Sequence, residues 1–252
     1  MTTSERAFYL ICGALLLVGG AVFIWGGSQH PPTDARLGVV GSEEFFRNFV
    51  RHIVERANWQ AIHTGILAGP LCWALGGVGV ALMQRQYGEG CFSVLGAVAL
   101  AMGATAWAVA FVFDGFVALR VAQAIAANPP GDMTALLTAF QANQVVVIRL
   151  GLVGWILIGS GIAAFGASLI ALPTRARIAK QIIGAAGILL GVWPFLAWTI
   201  GIFDPGPFTS RWWALTALVT TAWFMGDGRH RARTREWNAY PLGGVIGIGT
   251  RT

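Results

Sequence analysis

Residues 60–83 read QAIHTGILAGPLCWALGGVGVALM, and this run decides the class of fold. It contains no Lys, Arg, Asp or Glu, and a helix needs about 20 apolar residues to cross the hydrocarbon core of a bilayer. Comparable runs recur along the chain. The predicted spans are residues 7–28, 60–83, 91–113, 145–172, 182–203 and 210–226. The sequence therefore predicts an all-α integral membrane protein whose six-helix transmembrane bundle occupies residues 1–228.

The composition excludes an ordinary soluble domain. Hydrophobic residues make up 56% of the chain and charged residues 11%, whereas soluble domains carry about 25% charged residues. The 34 glycines are typical of membrane helices that approach one another closely. The formal charge of +6 is not accompanied by a nucleic-acid-binding motif. We therefore expect the lipid bilayer and other membrane protein subunits as partners, and no nucleic acid.

Basic residues between and after the spans predict the orientation. Residues 173–181 and 228–235 carry Lys and Arg with almost no acidic residues nearby. Short segments of this kind remain on the cytoplasmic side of a membrane. With six spans, both termini are then cytoplasmic, residues 229–252 form a basic cytoplasmic tail, and the expected location is the cell inner membrane.

The predicted outer side carries a small helical cap. Residues 42–57 form an amphipathic pattern that begins with Ser42, a favourable N-cap residue, followed by two glutamates. The third and fourth helical patterns extend well beyond the bilayer and are separated only by residues 128–132, which include two prolines. We expect a surface helix at 42–57 and a helical hairpin at 114–144.

Four ionisable residues are expected at one depth, near the outer boundary of the bilayer, and form the candidate ligand-binding set: His63, Asp114, Arg149 and Asp204. Such groups are costly at membrane depth and usually face a protein interior or a cavity. In a structural interpretation, Asp114 pairs with Arg149 and His63 bonds to a backbone carbonyl. In a functional interpretation, the same groups line a polar pocket for a ligand, a proton or a metal ion.

The histidines provide few metal-binding signals. There are four, of which His30 precedes two prolines and His230 lies in the basic tail. No metal centre is predicted, although His52, His63 and Asp114 are candidates for a His-His-Asp site, and His52 and His63 for a bis-His haem. No cofactor is predicted, and haem and copper remain compatible with the sequence.

Familiar catalytic motifs are absent from the sequence: there is no P-loop, dinucleotide-binding fingerprint or nucleophile elbow. No catalytic residue is assigned, and an enzyme is not the favoured interpretation. The favoured function is a non-catalytic, accessory subunit of a larger membrane complex. The alternatives are a small transporter or ligand-binding protein that uses His63, Asp114 and Arg149, and a haem- or metal-binding subunit of a membrane oxidoreductase.

Overall fold

The computed structural model describes residues 3–30, 37, 42–86, 88, 90–127, 134–172 and 177–199. Within these ranges the regular structure is entirely helical, which confirms the all-α prediction for this part of the chain. The α-helices are α1 (Thr3–Gln29), α2 (Glu43–Glu55), α3 (Trp59–Gln86), α4 (Cys91–Val112), α5 (Ala118–Ala127), α6 (Thr134–Ala171) and α7 (Arg177–Thr199). Phe113–Val117 forms a π-helical segment that joins α4 to α5.

Four helical stretches are long and apolar enough to cross a membrane: α1, α3, the continuous run Cys91–Ala127, and α6. Helix α7 contains a shorter apolar segment, Ile178–Trp193. Four such helices are compatible with a multi-pass membrane protein. The predicted sixth span at 210–226 and the tail at 229–252 lie outside the described residues, and so does the end of the predicted fifth span.

The long helices pack as antiparallel neighbours in the order α1, α3, α4, α6, α7. Glycines form the crossing points. A Cβ atom added at Gly19 of α1 would lie 2.7 Å from the carbonyl oxygen of Gly69 in α3, and one at Gly103 of α4 would lie 2.8 Å from that of Gly154 in α6. Side chains at these positions would force the backbones apart, so the small residues permit close helix packing.

The buried apolar residues form two separate hydrophobic cores, one within the bundle of long helices and one at the end of the bundle where α3 begins. The bundle core is aromatic and includes Phe23, Trp73, Trp107, Trp155 and Phe165. The second core belongs to the cap, which we define as α2, α5 and the first turns of α6. It includes Phe45, Phe49, Ile53, Trp59 and Phe140.

Helix α2 spans Glu43–Glu55, where the sequence predicts a helix at 42–57. The side chain of Ser42 accepts a hydrogen bond from the backbone N–H of Phe45 at 3.1 Å, which satisfies one of the free donors at the helix start. The apolar side of α2 is buried against α5 and α6. This helix therefore packs onto the protein itself.

Buried polar side chains lie at the two ends of the bundle. His63, Asp114, Asn143 and Gln144 are at the end next to the cap, which we call the cap end. Gln84, Ser93 and Ser168 are at the opposite end, which we call the far end. The buried side chains between these levels are apolar or tryptophan, so the two polar layers are separated by the bundle core.

Candidate metal centre

Two histidines and one aspartate from three different segments converge at the cap end. His30 follows the last turn of α1, His63 lies in the second turn of α3, and Asp114 is the second residue of the π-helical segment. Each offers one metal-ligating atom, and the three atoms all lie within 4.8 Å of one another. We call these three residues the His30–His63–Asp114 cluster.

The distances within the cluster resemble those between the ligands of a metal ion. Nε2 of His63 lies 3.1 Å from Oδ2 of Asp114, and Nε2 of His30 lies 3.4 Å from the same oxygen. Around a tetrahedral zinc ion with ligand bonds near 2.0 to 2.1 Å, neighbouring ligand atoms are about 3.4 Å apart. An ion can therefore be held here with small side-chain adjustments.

The hydrogen bonds of His63 define the chemistry of the cluster. Its Nδ1 lies 2.7 Å from the carbonyl oxygen of Trp59, and because a carbonyl only accepts, Nδ1 carries a proton and donates. In a neutral ring Nε2 then presents a lone pair, yet it faces an acceptor, the carboxylate of Asp114. A second proton or a metal ion must lie between these two atoms. Metal-ligating histidines commonly donate their other ring N–H to a backbone carbonyl in this way.

The π-helical segment brings Asp114 close to α3. Within it, the backbone N–H of Ala118 bonds to the carbonyl of Phe113, five residues earlier. Gly115 faces His63, and a Cβ atom at this position would overlap Cβ of His63. The absence of a side chain at 115 therefore lets Asp114 approach the imidazole, in a type of helical irregularity that is frequent at functional sites.

Further polar groups support Asp114. The indole Nε1 of Trp59 donates to the backbone carbonyl of Asp114 at 3.0 Å, and Nε2 of Gln144 donates to Oδ1 of Asp114 at 3.4 Å. Asn143 donates through Nδ2 to the carbonyl of Phe113 at 3.3 Å. Trp59 and Asn143 therefore hold the backbone at Asp114, and Gln144 holds one carboxylate oxygen, which leaves Oδ2 directed at both histidines.

Aromatic rings enclose the histidines. The ring of His63 lies 4.2 Å from that of Trp59 and 5.8 Å from that of Phe111, measured between centroids. The centroid of His30 is 6.1 Å from that of Trp59. Such walls lower the local dielectric constant and strengthen electrostatic attraction between the cluster and a bound cation.

The structure brings together two of the four residues in the candidate ligand-binding set, His63 and Asp114. Arg149 is exposed on α6, and among the described residues the side-chain partners of Asp114 are His30, His63 and Gln144. The ion pair between Asp114 and Arg149 is therefore not formed. Asp204 lies outside the described residues.

His52 does not join the cluster. Its ring packs edge-on against Trp59 at 6.4 Å, and the second imidazole near Asp114 comes from His30 instead. A signal for His30 was present in the sequence, because His30 lies two residues beyond the predicted end of the first span at residue 28, close to the membrane boundary at which His63 is placed.

A bis-His haem, for which His52 and His63 are candidates in the sequence, does not fit the geometry of the two histidines that converge here. The rings of His30 and His63 are 5.1 Å apart, but both Nε2 atoms are directed at one carboxylate oxygen. A porphyrin plane between two axial imidazoles would need the space that Asp114 occupies. The donor set fits a single ion better than a haem.

Comparisons with protein-family models, with curated proteins and with solved structures gave no match for this chain.

Proposed function

We propose that this chain is a multi-pass membrane protein that binds a transition-metal ion through the His30–His63–Asp114 cluster. The observation that carries the proposal is the paired approach of two imidazole Nε2 atoms to Oδ2 of Asp114, at 3.1 and 3.4 Å. The proton on Nδ1 of His63 leaves Nε2 free to ligate a metal. Two neutral imidazoles and one carboxylate form a donor set that binds a divalent cation and balances part of its charge.

The position of the polar layers supports insertion in a bilayer. Along α3, the distance from His63 to Gln84 is about 31 Å at 1.5 Å per residue, and the run from Ser93 to Asp114 has the same length. The hydrocarbon core of a bilayer is about 30 Å thick. The surface between these levels carries large apolar side chains such as Leu75, which is 59% exposed. Lipid is the solvent that suits this surface.

The six spans, the inner-membrane location and the cytoplasmic termini belong to the same proposal. The orientation can be tested with the single substitutions Asn128→Cys and Thr174→Cys, each made in a variant that lacks Cys12, Cys72 and Cys91. We expect a membrane-impermeant maleimide to label position 128 in intact cells and position 174 only after lysis. Labelling of position 174 in intact cells, with position 128 labelled only after lysis, would indicate the reverse orientation. Labelling at both positions in intact cells would contradict the predicted topology.

The donor set also indicates which ions to test. Imidazole nitrogen binds zinc, copper, nickel and cobalt well, whereas calcium and magnesium prefer sites made entirely of oxygen ligands. Two of the three ligand atoms here are nitrogen. We therefore expect Zn²⁺ and Co²⁺ to bind in the presence of excess Mg²⁺.

Metal analysis tests the proposal directly. We expect one equivalent of Zn²⁺ per chain in purified protein after equilibrium dialysis, and less than a tenth of that occupancy in His63→Gln under the same conditions. His52→Gln is the matched control, because His52 also packs against Trp59 but lies outside the cluster. Zinc-free wild-type protein that remains folded would indicate a histidinium–carboxylate pair instead and would overturn the proposal. Loss of zinc from the His52→Gln variant would indicate that His52, rather than His30, is the second histidine ligand.

Membership of a larger membrane complex remains a prediction from the sequence, as does the absence of catalysis. Gentle purification from native membranes, followed by identification of stoichiometric partners, tests the first. It does not depend on the metal site, so both proposals can hold together.

A further inference from the structure

We infer that the metal ion enters and leaves the cluster past His30, so that His30 is the exchangeable ligand while His63 and Asp114 form a permanent half-site. This inference rests on the proposed metal site and assigns a different role to each ligand. It follows from the unequal burial of the three side chains, from the elements that carry them, and from the aromatic rings around them.

Burial separates His30 from the other two ligands. The side chain of His30 is 28% exposed, whereas those of His63 and Asp114 are 0% and 6% exposed. An ion or a water molecule that approaches from solvent therefore meets the imidazole of His30 first. The other two ligand atoms are reached only once this ring moves or binds the ion.

The elements that carry the three ligands also differ. His63 is fixed by its bond to the carbonyl of Trp59, and Asp114 is fixed by Trp59 and Gln144. Both residues lie inside continuous helical structure with neighbours on several sides. His30 instead follows the end of α1. Its backbone N–H donates to the carbonyl of Gly26 in the last turn of α1, and α1 packs mainly on α3. His30 is therefore carried at the end of a helix, whereas the two residues of the half-site lie within helical structure.

Aromatic rings obstruct the direction toward the far end. Beneath the cluster, Phe111 packs against Trp107 with ring centroids 4.8 Å apart, and Trp107 packs against Trp155 at 5.3 Å. These side chains belong to the bundle core, in which the described buried residues include no ionisable side chain for a charged ion to follow. Among the described residues, the exposed ligand His30 therefore marks the route into the cluster.

Rescue by free imidazole tests the role of His30. The absorption spectrum of bound Co²⁺ is followed in detergent-solubilised wild-type protein, His30→Ala and His63→Ala. Removing a direct ligand weakens Co²⁺ binding by at least about tenfold, since even supporting residues cost 10–100-fold. We expect millimolar imidazole to restore the spectrum of His30→Ala, because that position is open to solvent, and not that of His63→Ala. His52→Ala with imidazole is the control and should behave as wild type.

A second measurement uses wild-type protein, so it does not depend on a variant that folds. Diethyl pyrocarbonate modifies exposed imidazoles, and mass spectrometry locates the product. Without metal, we expect His30 to be modified and His63 to remain intact, and Zn²⁺ should protect His30. Equal modification of both histidines, or rescue of His63→Ala by imidazole, would overturn the inference while leaving the metal site in place. Failure of the wild-type protein to bind Co²⁺ would overturn the proposed function as well.

Discussion

At the cap end of the bundle, His63 and Asp114 are buried and bonded to each other, whereas at the far end Gln84 is equally buried and no protein group among the described residues bonds to its amide. The far end otherwise buries small hydroxyl groups. Ser93 donates to the carbonyl of Gly90 at 3.3 Å within its own helix start. The cap end instead joins residues from four segments, namely α1, α3, the π-helical segment and α6.

This difference separates two meanings of a buried polar residue. Burial alone is costly at either end unless the group finds a partner. At the far end, the buried polar side chains that the structure describes are Gln84, Ser93 and Ser168, which offer amide and hydroxyl groups and neither an imidazole nor a carboxylate. At the cap end two imidazole Nε2 atoms converge on one carboxylate oxygen, which is an arrangement that attracts a proton or a metal cation. Mutations at matched positions of the two ends test this distinction.

Asp114→Ala should produce the largest loss of stability. The substitution leaves His63 and Gln144 without their buried partner, and breaking a buried charge pair costs about 3–5 kcal/mol. We expect a decrease of this size in the free energy of unfolding, measured by SDS titration in mixed micelles with a chelator present. A loss below about 1 kcal/mol would show that the cluster is not formed as described.

Gly115→Ala should have the next largest effect. Its Cβ atom would overlap Cβ of His63, and overpacking of this kind costs about 1–3 kcal/mol. Gly13→Ala in α1 is the matched control, because nothing lies within 4 Å of a Cβ atom there. In a helix interior that control should be neutral or stabilising, since alanine is the better helix former. Equal effects of the two substitutions on unfolding would contradict the close approach of the π-helical segment to α3.

Gln84→Leu should be neutral or stabilising by about 1 kcal/mol, because it removes a buried amide that lacks hydrogen bonds to protein. Gln144→Leu at the cap end is the comparison. It deletes a donor to Asp114 and should destabilise by about 1 kcal/mol. In the same unfolding assay, Gln144→Leu should therefore lower the free energy of unfolding, whereas Gln84→Leu should leave it unchanged or raise it. A matching loss for both would indicate that Gln84 also has a bonded partner.

Arg149→Gln should have the smallest effect. Arg149 is exposed, and surface substitutions usually change stability by no more than about 0.5 kcal/mol. The affinity for Zn²⁺ should also remain as in wild type. A clear loss of Zn²⁺ affinity in this variant would indicate that Arg149 does contribute to the metal site.

Sequence reasoning predicted the helical class, and it placed His63 and Asp114 at one depth, because apolar runs and charge positions depend mainly on local sequence. It failed for Arg149 because depth does not specify the side of a helix. Gln144 faces Asp114, and five residues later the α-helix has turned by about 140° from that direction. Arg149 therefore points away from Asp114 at nearly the expected level.

The remaining features of the site depend on tertiary structure. His30 is followed in the sequence by Pro31 and Pro32, which end the helical pattern, so the sequence does not predict the direction of its side chain. The π-helical segment has no local signature, since it forms where Gly115 packs against a residue of another helix. The structural interpretation pairs Asp114 with Arg149, whereas the structure pairs it with two histidines, of which the His-His-Asp hypothesis includes His63 and not His30.

X-ray absorption at the zinc edge of the loaded wild-type protein tests the central claim most directly. We predict two imidazole nitrogens and oxygen ligands at about 2.0–2.2 Å, which is the shell that His30, His63 and Asp114 would provide. The His52→Gln variant should give the same spectrum. A sulfur ligand at about 2.3 Å would place the ion on a cysteine, and a shell of oxygen atoms alone would place it on surface carboxylates. Either result would contradict a metal centre at the cap end.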